Sequence, residues 1–302
     1  MPQPVIGLMS PGDMGHKVGE AIRAKGFRVV TSVAGRSALT QTRAARAGLE
    51  DMGSLAGIVG AADIIFSIMP PERAEDFARD VAAEMKRQNK ASIFVDCNAI
   101  SPMTMKRIDE HIRAAGGRCM DIGIIGSPPG SPPDRPVPRF YTSGPHMEAL
   151  RFLDGDSMRF MDMGPEIGRA SAIKMCFAGL TKGTMTLRTS VLLAGEMLGV
   201  GAELKDVIAA SQKFHWEGMN ASVPFLAADA GRWAGEMEQI SETFGSVGVT
   251  PDMHKGAAET FRLLDASPLG METRETADKS RTLDQALAIY VDTLRGKKKA
   301  AE

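Results

Sequence analysis

Short apolar runs alternate with amphipathic segments through the first half of the chain. The runs read as buried strands, and they are Pro4–Met9, Arg28–Val33, Ala62–Met69, Ser92–Asp96 and Cys119–Ile125. Between them the hydrophobic spacing predicts helices over Met14–Lys25 and Glu72–Arg87, and a third helix that opens at Ser101-Pro102, a capping residue followed by proline at the first helical position. Near-continuous apolar strands separated by helices predict a doubly wound α/β domain with a parallel sheet covered on both faces.

The pattern changes after Gly164-Pro165. Two closing strands are predicted just before this point, over Arg139–Ser143 and Met158–Met163. Beyond it apolar residues recur at helical spacing, and the predicted helices include Ile167–Leu198, Glu203–Phe214, Ala234–Phe244, Pro251–Leu264 and Arg274–Leu294. The sequence therefore predicts an α/β domain over 1–164 and an all-α domain over 165–302.

Composition and charge narrow the function. The formal net charge is −1, from 36 basic and 37 acidic residues, which argues against a nucleic-acid partner. No apolar run approaches the length of a membrane span, and the first residues lack the pattern of a signal peptide. The three cysteines show no metal-ligand spacing. We therefore expect a cytoplasmic protein with a small-molecule substrate, no metal site and no membrane partner.

The turn after the first strand has the form of a phosphate-binding loop. Ser10-Pro11-Gly12-Asp13-Met14-Gly15 occupies the position of the fingerprint G-x-G-x-x-G of Rossmann-type domains. Gly12 would let the backbone approach a pyrophosphate, Gly15 would let the helix pack on the strand, and the helix N-terminus would supply free N–H groups. Ser10 replaces the first glycine, so that turn must be made differently.

The end of the second strand favours NADP over NAD. NAD-selective sites usually carry an acidic residue here that binds the ribose diol, whereas an arginine pairs with the 2′-phosphate of NADP. This chain has Arg36-Ser37 and no carboxylate between Val29 and Ala47. The alternative is an ordinary surface arginine in a loop.

Four blocks in order resemble the β-hydroxyacid dehydrogenase family, which includes 6-phosphogluconate dehydrogenase and 3-hydroxyisobutyrate dehydrogenase. The first is the turn at Ser10–Gly15. Phe94–Thr104 is similar to the stretch D-x-S-T-x-x-P-x-T, Asp121–Ser127 lies where the family has D-A-P-V-S-G-G, and Gly168–Ala178 is similar to G-x-G-x-x-x-K-x-x-N-N. The helix after the last block looks closer to a subgroup with a divergent helical C-terminal domain.

The resemblance implies that Lys174 is the catalytic acid/base. Hydride transfer at a carbinol carbon requires a proton to move on the oxygen, and a lysine in a partly dry cleft can exchange that proton near neutral pH. We expect the substrate to lie between the domains, at the carboxyl ends of the strands. The cofactor residues are Ser10, Pro11, Gly12, Asp13, Met14, Arg36, Ser37, Met69, Pro70 and Asn98, and the substrate residues are Asn98, Gly123, Ile125, Gly126, Ala178, Thr181 and His215.

The chain departs from the family at three polar positions. Ile125 stands where the family has a serine that contacts the substrate carboxylate, and Phe177 and Ala178 replace two asparagines. Thr181, seven residues after Lys174 and on nearly the same helix face, is expected to replace part of the lost hydrogen bonding. These changes suggest a substrate that is bulkier and less acidic than a simple hydroxy acid.

Three further segments are candidate elements of the site, and two of them have a second interpretation. Phe214–Glu217 interrupts a predicted helical region and either lines the substrate cleft or is a packed histidine beside a tryptophan. His254-Lys255 is a candidate for a second polar pair that faces the site. The proline-dense loop 127–138 is either a lid or a static connector.

The family resemblance also implies a homodimer, since the long helix after the domain boundary packs across a dimer there. Two other functions compete with a dehydrogenase. An imine reductase on the same scaffold usually lacks the lysine, and an NADP-sensing protein would have no need of a proton donor. Decarboxylation after oxidation, as in 6-phosphogluconate dehydrogenase, would need phosphate-binding basic residues that the sequence does not identify.

Overall fold

The computed structural model describes residues 3–132 and 134–301, with side chains up to Lys297. The chain divides into two compact units, Met1–Met175 and Cys176–Glu302. The predicted boundary at 164 marks the change from sheet to helix, but the compact division comes eleven residues later. The first turns of the helix that follows belong to the first unit, because they are hydrogen-bonded to its sheet.

Eight strands of the first unit form one sheet. They are β1 (Ile6–Met9), β2 (Val29–Thr31), β3 (Glu50–Asp51), β4 (Ile64–Ser67), β5 (Ile93–Asp96), β6 (Arg118–Ile125), β7 (Arg139–Ser143) and β8 (Arg159–Asp162). Their order is β3-β2-β1-β4-β5-β6-β7-β8. The first six are parallel, whereas β7 runs antiparallel to β6 and β8 runs parallel to β7. The predicted parallel sheet is therefore mostly parallel, with a reversed edge.

Helices cover both faces of the sheet. Those that lie wholly within the first unit are α1 (Asp13–Ala24), α2 (Ala38–Arg46), α3 (Leu55–Ala61), α4 (Ala74–Gln88) and α5 (Pro102–Ala114). One apolar cluster joins α1 to side chains such as Leu8 and Phe66, and the other joins α3, α4 and α5 to Ile65 and Phe94. Consecutive strand residues thus face opposite cores, which explains their unbroken hydrophobic runs. The doubly wound Rossmann-type fold is confirmed.

The remaining helices belong to the second half of the chain. They are α6 (Arg169–Leu198), which begins in the first unit, and α7 (Gly201–Ser211), α8 (Lys213–Ser222), α9 (Ala227–Ser246), α10 (Asp252–Asp265) and α11 (Leu283–Ala301). The core of the second unit contains Met237, Phe261 and Tyr290, and the buried Tyr290 hydroxyl donates to the Val223 carbonyl. No helix in the described part of the chain is long and apolar enough to cross a membrane.

Some local predictions were wrong. Phe214–Glu217 does not interrupt a helix but lies inside α8. Residues 274–282 are not helical, because Asp278 and neighbouring threonines bond the backbone locally and compete with helix formation. The pattern also missed α2, α3 and β3, of which β3 is two exposed acidic residues without an apolar signal.

Gly15 permits the close approach of α1 to the turn that precedes it. A Cβ at this position would collide with the Ser10 carbonyl oxygen, whereas a Cβ at Gly12 would meet nothing closer than the Ser10 Oγ at 3.9 Å. Gly15 is therefore required by packing, and Gly12 is open to the outside. Because Gly15 allows this close approach, the N-terminus of α1 lies directly at the carboxyl end of β1.

Candidate functional site

The β1–α1 turn presents an open helix N-terminus. The Ser10 amide donates to the Ile68 carbonyl at the end of β4, and the Gly12 amide donates to Ser10 O at 2.8 Å. Gly12 is the N-cap of α1 and has no side chain that could occupy the first N–H groups. The turn therefore offers backbone donors and the positive end of a helix dipole, as an anionic phosphate requires. Asp13, with a half-exposed side chain, lies in the first turn 3.8 Å from Arg43.

Arg36 follows a left-handed glycine after β2 and is exposed. Gly35 has φ 68°, and the Ser37 hydroxyl accepts from Thr40 N and so caps α2. Among the described residues, no carboxylate pairs with the Arg36 guanidinium. Glu50 pairs instead with Arg28 at 2.7 Å, and Asp51 accepts the backbone amides of residues 33 and 53. Arg36 is therefore available to an external anion.

A polar row crosses the carboxyl ends of the central strands. The register of the sheet aligns Ser67 with Asp96, Asp96 with Asp121, and Asp121 with Ser143. All four side chains are buried. Sequence reasoning quoted Asp96 and Asp121 within motifs but gave them no role, and it missed both serines. Ser67, Asp96 and Ser143 are each the last residue of their strand, whereas Asp121 lies in the middle of β6. The available signal was a polar residue at the end of the apolar runs that form β4 and β5.

Asn98 holds the segment after β4. Its Nδ2 donates to Ser67 Oγ at 2.9 Å and to Asp96 Oδ2 at 2.7 Å, while its Oδ1 accepts the Met69 amide at 2.6 Å. Both amide hydrogens are thus used inside the protein. In this arrangement Asn98 positions the half-buried Met69 and Pro70, the predicted cofactor contacts, instead of offering its own donors to a ligand.

Asp121 attaches the N-terminus of α6 to the sheet. Its Oδ2 accepts from Gly168 N, Ser171 N and Ser143 Oγ, each at 3.0 Å, and its Oδ1 accepts from Ser171 Oγ at 2.7 Å. The carboxylate thus occupies helix N–H groups that have no partner within the helix, at the positive end of its dipole. We call this arrangement the Asp121 clamp.

Both buried aspartates have raised pKa values. Burial raises the pKa of Asp96 to about 7, opposed by the hydrogen bonds from Asn98 and reinforced by the neighbouring charge of Asp121. Burial also raises the pKa of Asp121, and the hydrogen bonds from Ser171, Ser143 and Gly168 oppose the shift. Asp96 therefore titrates near neutral pH.

Lys174 lies one turn beyond the clamp. Its half-buried Nζ donates to the carbonyl oxygen of Ile124, near the end of β6. Gly123 makes room for this helix, because a Cβ there would lie 2.5 Å from Ala170 O and 3.0 Å from the Lys174 Cβ. Gly123, predicted as a substrate contact, is thus explained by packing of α6 on β6.

The other predicted substrate residues have different environments. Ile125 is half-buried, and Gly126 is exposed with φ 124°. Ala178 is only 2% exposed, which leaves little of it for contact with a substrate. The Thr181 hydroxyl donates to Phe177 O at 3.2 Å, so its single hydrogen is used by its own helix and the predicted replacement of a lost donor is not seen. His215 lies on α8 against Arg188.

His254 and Lys255 do not form a polar pair. The His254 ring is 3% exposed and packs edge-on against Phe244 with centroids 4.4 Å apart, and burial lowers its pKa. Its Nδ1 has no hydrogen-bond partner within the described residues. Lys255 is exposed and pairs with Asp252.

The predicted loop 127–138 is irregular. Pro133 lies outside the described residues. Arg135 donates to Ser127 Oγ at 3.2 Å, and Ser131 Oγ donates to Pro128 O at 2.7 Å. The choice between a lid and a static connector stays open.

The fold, the open N-terminus of α1 and the exposed Arg36 together define a class of protein. It is a Rossmann-type nucleotide-binding protein, here with a lysine beside the end of β6. Residues 5–132 match the model described as the NAD binding domain of 6-phosphogluconate dehydrogenase, and residues 196–264 match DUF1932, a domain of unknown function. The first unit thus contains an NAD(P)-binding domain that is similar to the one of 6-phosphogluconate dehydrogenase.

Similar proteins span most of the chain. An uncharacterized 28.5 kDa protein of Methanothermus fervidus is 26% identical over 203 residues, which are 67% of this chain and 75% of the relative. The 3-hydroxyisobutyrate dehydrogenase of Mycobacterium tuberculosis has a TM-score of 0.63 at 16% identity, covering 97% and 100% of the two chains. An imine reductase of Myxococcus stipitatus in complex with NADP⁺ has a TM-score of 0.54 at 17% identity, covering 87% and 93%. At these identities the two structures establish the fold.

The raised pKa of Asp96 predicts a pH dependence of stability. An acid whose folded pKa is about 7, against an unfolded value of about 4, stabilises the fold fully below pH 4, and this contribution is lost progressively as the pH rises to 7. Between pH 5 and pH 7.5 the loss amounts to roughly 2–3 kcal/mol. Urea unfolding of the wild type and of Asp96→Asn across this range measures it. We expect the decline to be smaller in the variant by about that amount. Parallel pH profiles would contradict the assignment.

Proposed function

We propose that this protein is an NADP-dependent oxidoreductase that moves a hydride between the nicotinamide and a hydroxy or carbonyl substrate, with Lys174 as proton donor and acceptor. The observation that carries the proposal is the placement of Lys174 Nζ at the carbonyl of Ile124. The same unit contains the open β1–α1 turn, and ligands of such sheets bind at the carboxyl ends of the strands.

The residues present fit a dinucleotide with a 2′-phosphate. The N-terminus of α1 at Gly12–Met14 would hold the pyrophosphate, and Arg36 with the N-terminus of α2 would hold the 2′-phosphate. Met69 and Pro70, fixed by Asn98, would line the nicotinamide end. When bound, the nicotinamide supplies or accepts the hydride.

Lys174 accepts or donates the proton that the reaction moves on the substrate oxygen. In the oxidative direction its neutral amine takes the hydroxyl proton as the substrate carbon loses hydride, and in reduction its ammonium returns a proton to the carbonyl oxygen. Its positive charge stabilises negative charge that develops on that oxygen. The Ile124 carbonyl accepts one of its hydrogens and orients the amine. The Asp121 clamp fixes the helix turn that carries it.

The substrate is bulkier and less acidic than a simple hydroxy acid. Support comes from Ile125, which is half-buried beside the lysine's acceptor. It offers apolar surface where the family resemblance implies a serine that contacts a carboxylate.

An imine reductase activity is the second candidate. The same apolar replacement favours it, since an uncharged imine needs no carboxylate contact. Lys174 disfavours it relative to a dehydrogenase. A protein that binds NADP without turnover would leave the oriented lysine without a use.

We also propose a homodimer, with α6 in the interface. Four apolar side chains of α6 are largely exposed at intervals that place them on one helix face: Phe177, Leu180, Leu187 and Leu198, at 46%, 71%, 61% and 77%. An exposed apolar stripe of this kind is typical of a helix that packs against another chain.

The cofactor assignment predicts a preference that depends on Arg36. NADPH should bind the wild type at least roughly tenfold more tightly than NADH, because the guanidinium pairs with the 2′-phosphate. Arg36→Ala should remove the difference by weakening NADPH alone. Fluorescence titration measures both affinities, with Arg46→Ala, an exposed arginine at the other end of α2, as the control. Equal affinities for the two nucleotides in the wild type would contradict the NADP assignment.

The catalytic assignment predicts that Lys174→Met retains NADPH binding but loses turnover by about 10²- to 10⁴-fold. A panel of 3-hydroxy acids, larger secondary alcohols and cyclic imines, assayed by nicotinamide absorbance, identifies the substrate class. Lys86→Met, an exposed lysine at the end of α4, is the matched control. Turnover by Lys174→Met that equals the wild type would refute the role of the lysine, and turnover of imines alone would favour the second candidate.

A further inference from the structure

Arg188 of α6 has an unusual environment within the second unit. Its half-buried guanidinium lies over the Phe214 ring, with Cζ 5.3 Å from the ring centroid. Its Nε donates to His215 Nδ1 and its Nη2 donates to the Phe214 carbonyl, both at the long distance of 3.4 Å. The guanidinium is therefore held in place by weak contacts with α8.

Gly218 provides the space in which the guanidinium lies. A Cβ at this position would collide with Arg188 Nη1 and Cζ. The guanidinium thus packs closely against α8 at Gly218, and the flexible arginine side chain would have to move to admit a larger residue there.

Arg188 has no ion pair in the part of the chain that the structure describes. None of the carboxylates there lies within salt-bridge distance of its guanidinium. Glu217, which neighbours the cluster in sequence, is exposed and lies 3.9 Å from Lys213. A partly desolvated guanidinium normally has a carboxylate or phosphate partner, since five N–H donors must be satisfied.

His215 adds a donor to the same cluster. Since its Nδ1 accepts from Arg188, the neutral ring carries its hydrogen on Nε2. The Phe214 ring beside it is 75% exposed and meets the imidazole edge-on, with centroids 5.6 Å apart. A planar cation, a second N–H donor and an exposed aromatic face thus adjoin one another.

We propose that Arg188, His215 and Phe214 form a binding site for an aromatic carboxylate. The carboxylate pairs with the guanidinium and the His215 Nε2 hydrogen, and the ring of the ligand packs on Phe214. Every contact in this argument lies within the second unit. The inference does not depend on the proposed oxidoreductase activity.

Isothermal titration with benzoate tests the proposal. Benzoate should bind the wild type saturably, while benzyl alcohol, which lacks the charge, should not. Arg188→Gln should weaken benzoate binding at least roughly tenfold, and Arg188→Lys should weaken it less, because it keeps the charge without the planar fork. Arg262→Gln, a substitution of an exposed arginine paired with Glu238 and Glu259, is the matched control and should have no effect.

Phe214→Leu is a second variant, and we expect it to fold normally because the exposed Phe214 side chain is not part of the core. It should weaken benzoate severalfold but leave inorganic phosphate unaffected. The proposal is overturned if benzoate does not bind the wild type, or if folded Arg188→Gln binds it as tightly. It is also overturned if phosphate competes as well as benzoate and Phe214→Leu changes nothing, since the site then recognises any anion. None of these results depends on NADPH binding.

Discussion

The hydrogen bonds of one buried carboxylate determine where the helical half of the chain begins. Asp121 accepts two backbone amides and a hydroxyl at the start of α6, and a hydroxyl from β7. Hydrogen bonds to a charged acceptor contribute roughly 1.5–3 kcal/mol each, more than the neutral bonds around them. The first turns of α6 therefore belong to the sheet, and Lys174 comes with them to the carbonyl of Ile124.

The clamp also governs the electrostatics of the site. Asp121 is in register with Asp96, and neither carboxyl is exposed to water. Burial raises the pKa of both carboxyl groups, and it raises that of Asp96 to about 7. Asn98 then links Asp96 to the backbone of Met69. Asp121 on β6 thus neighbours Asp96 on β5, and hydrogen bonds through Asn98 link Asp96 to Met69, just after β4.

The pattern of apolar and polar residues along the chain predicted the fold well, because buried parallel strands must be apolar on both faces. It predicted Gly15 because a close helix approach requires a residue without a Cβ at that position. The resemblance to a known family, not local pattern, singled out Lys174, and its role stays a proposal. The pattern did not predict the bond between Asp121 and Ser171, since their 50-residue separation leaves no local signal. It also did not predict that the Thr181 hydroxyl donates to its own helix, because helix position alone does not show which acceptor a hydroxyl uses.

The central claim is that Lys174 lies at the nucleotide site, and amine labelling tests it without a known substrate. The protein is acylated with an amine-reactive reagent in the presence and absence of saturating NADPH, and labelling of each lysine is quantified by mass spectrometry. The account predicts that NADPH protects Lys174 severalfold while exposed Lys86 is labelled equally in both samples. Equal labelling of Lys174 with saturating NADPH bound would contradict it.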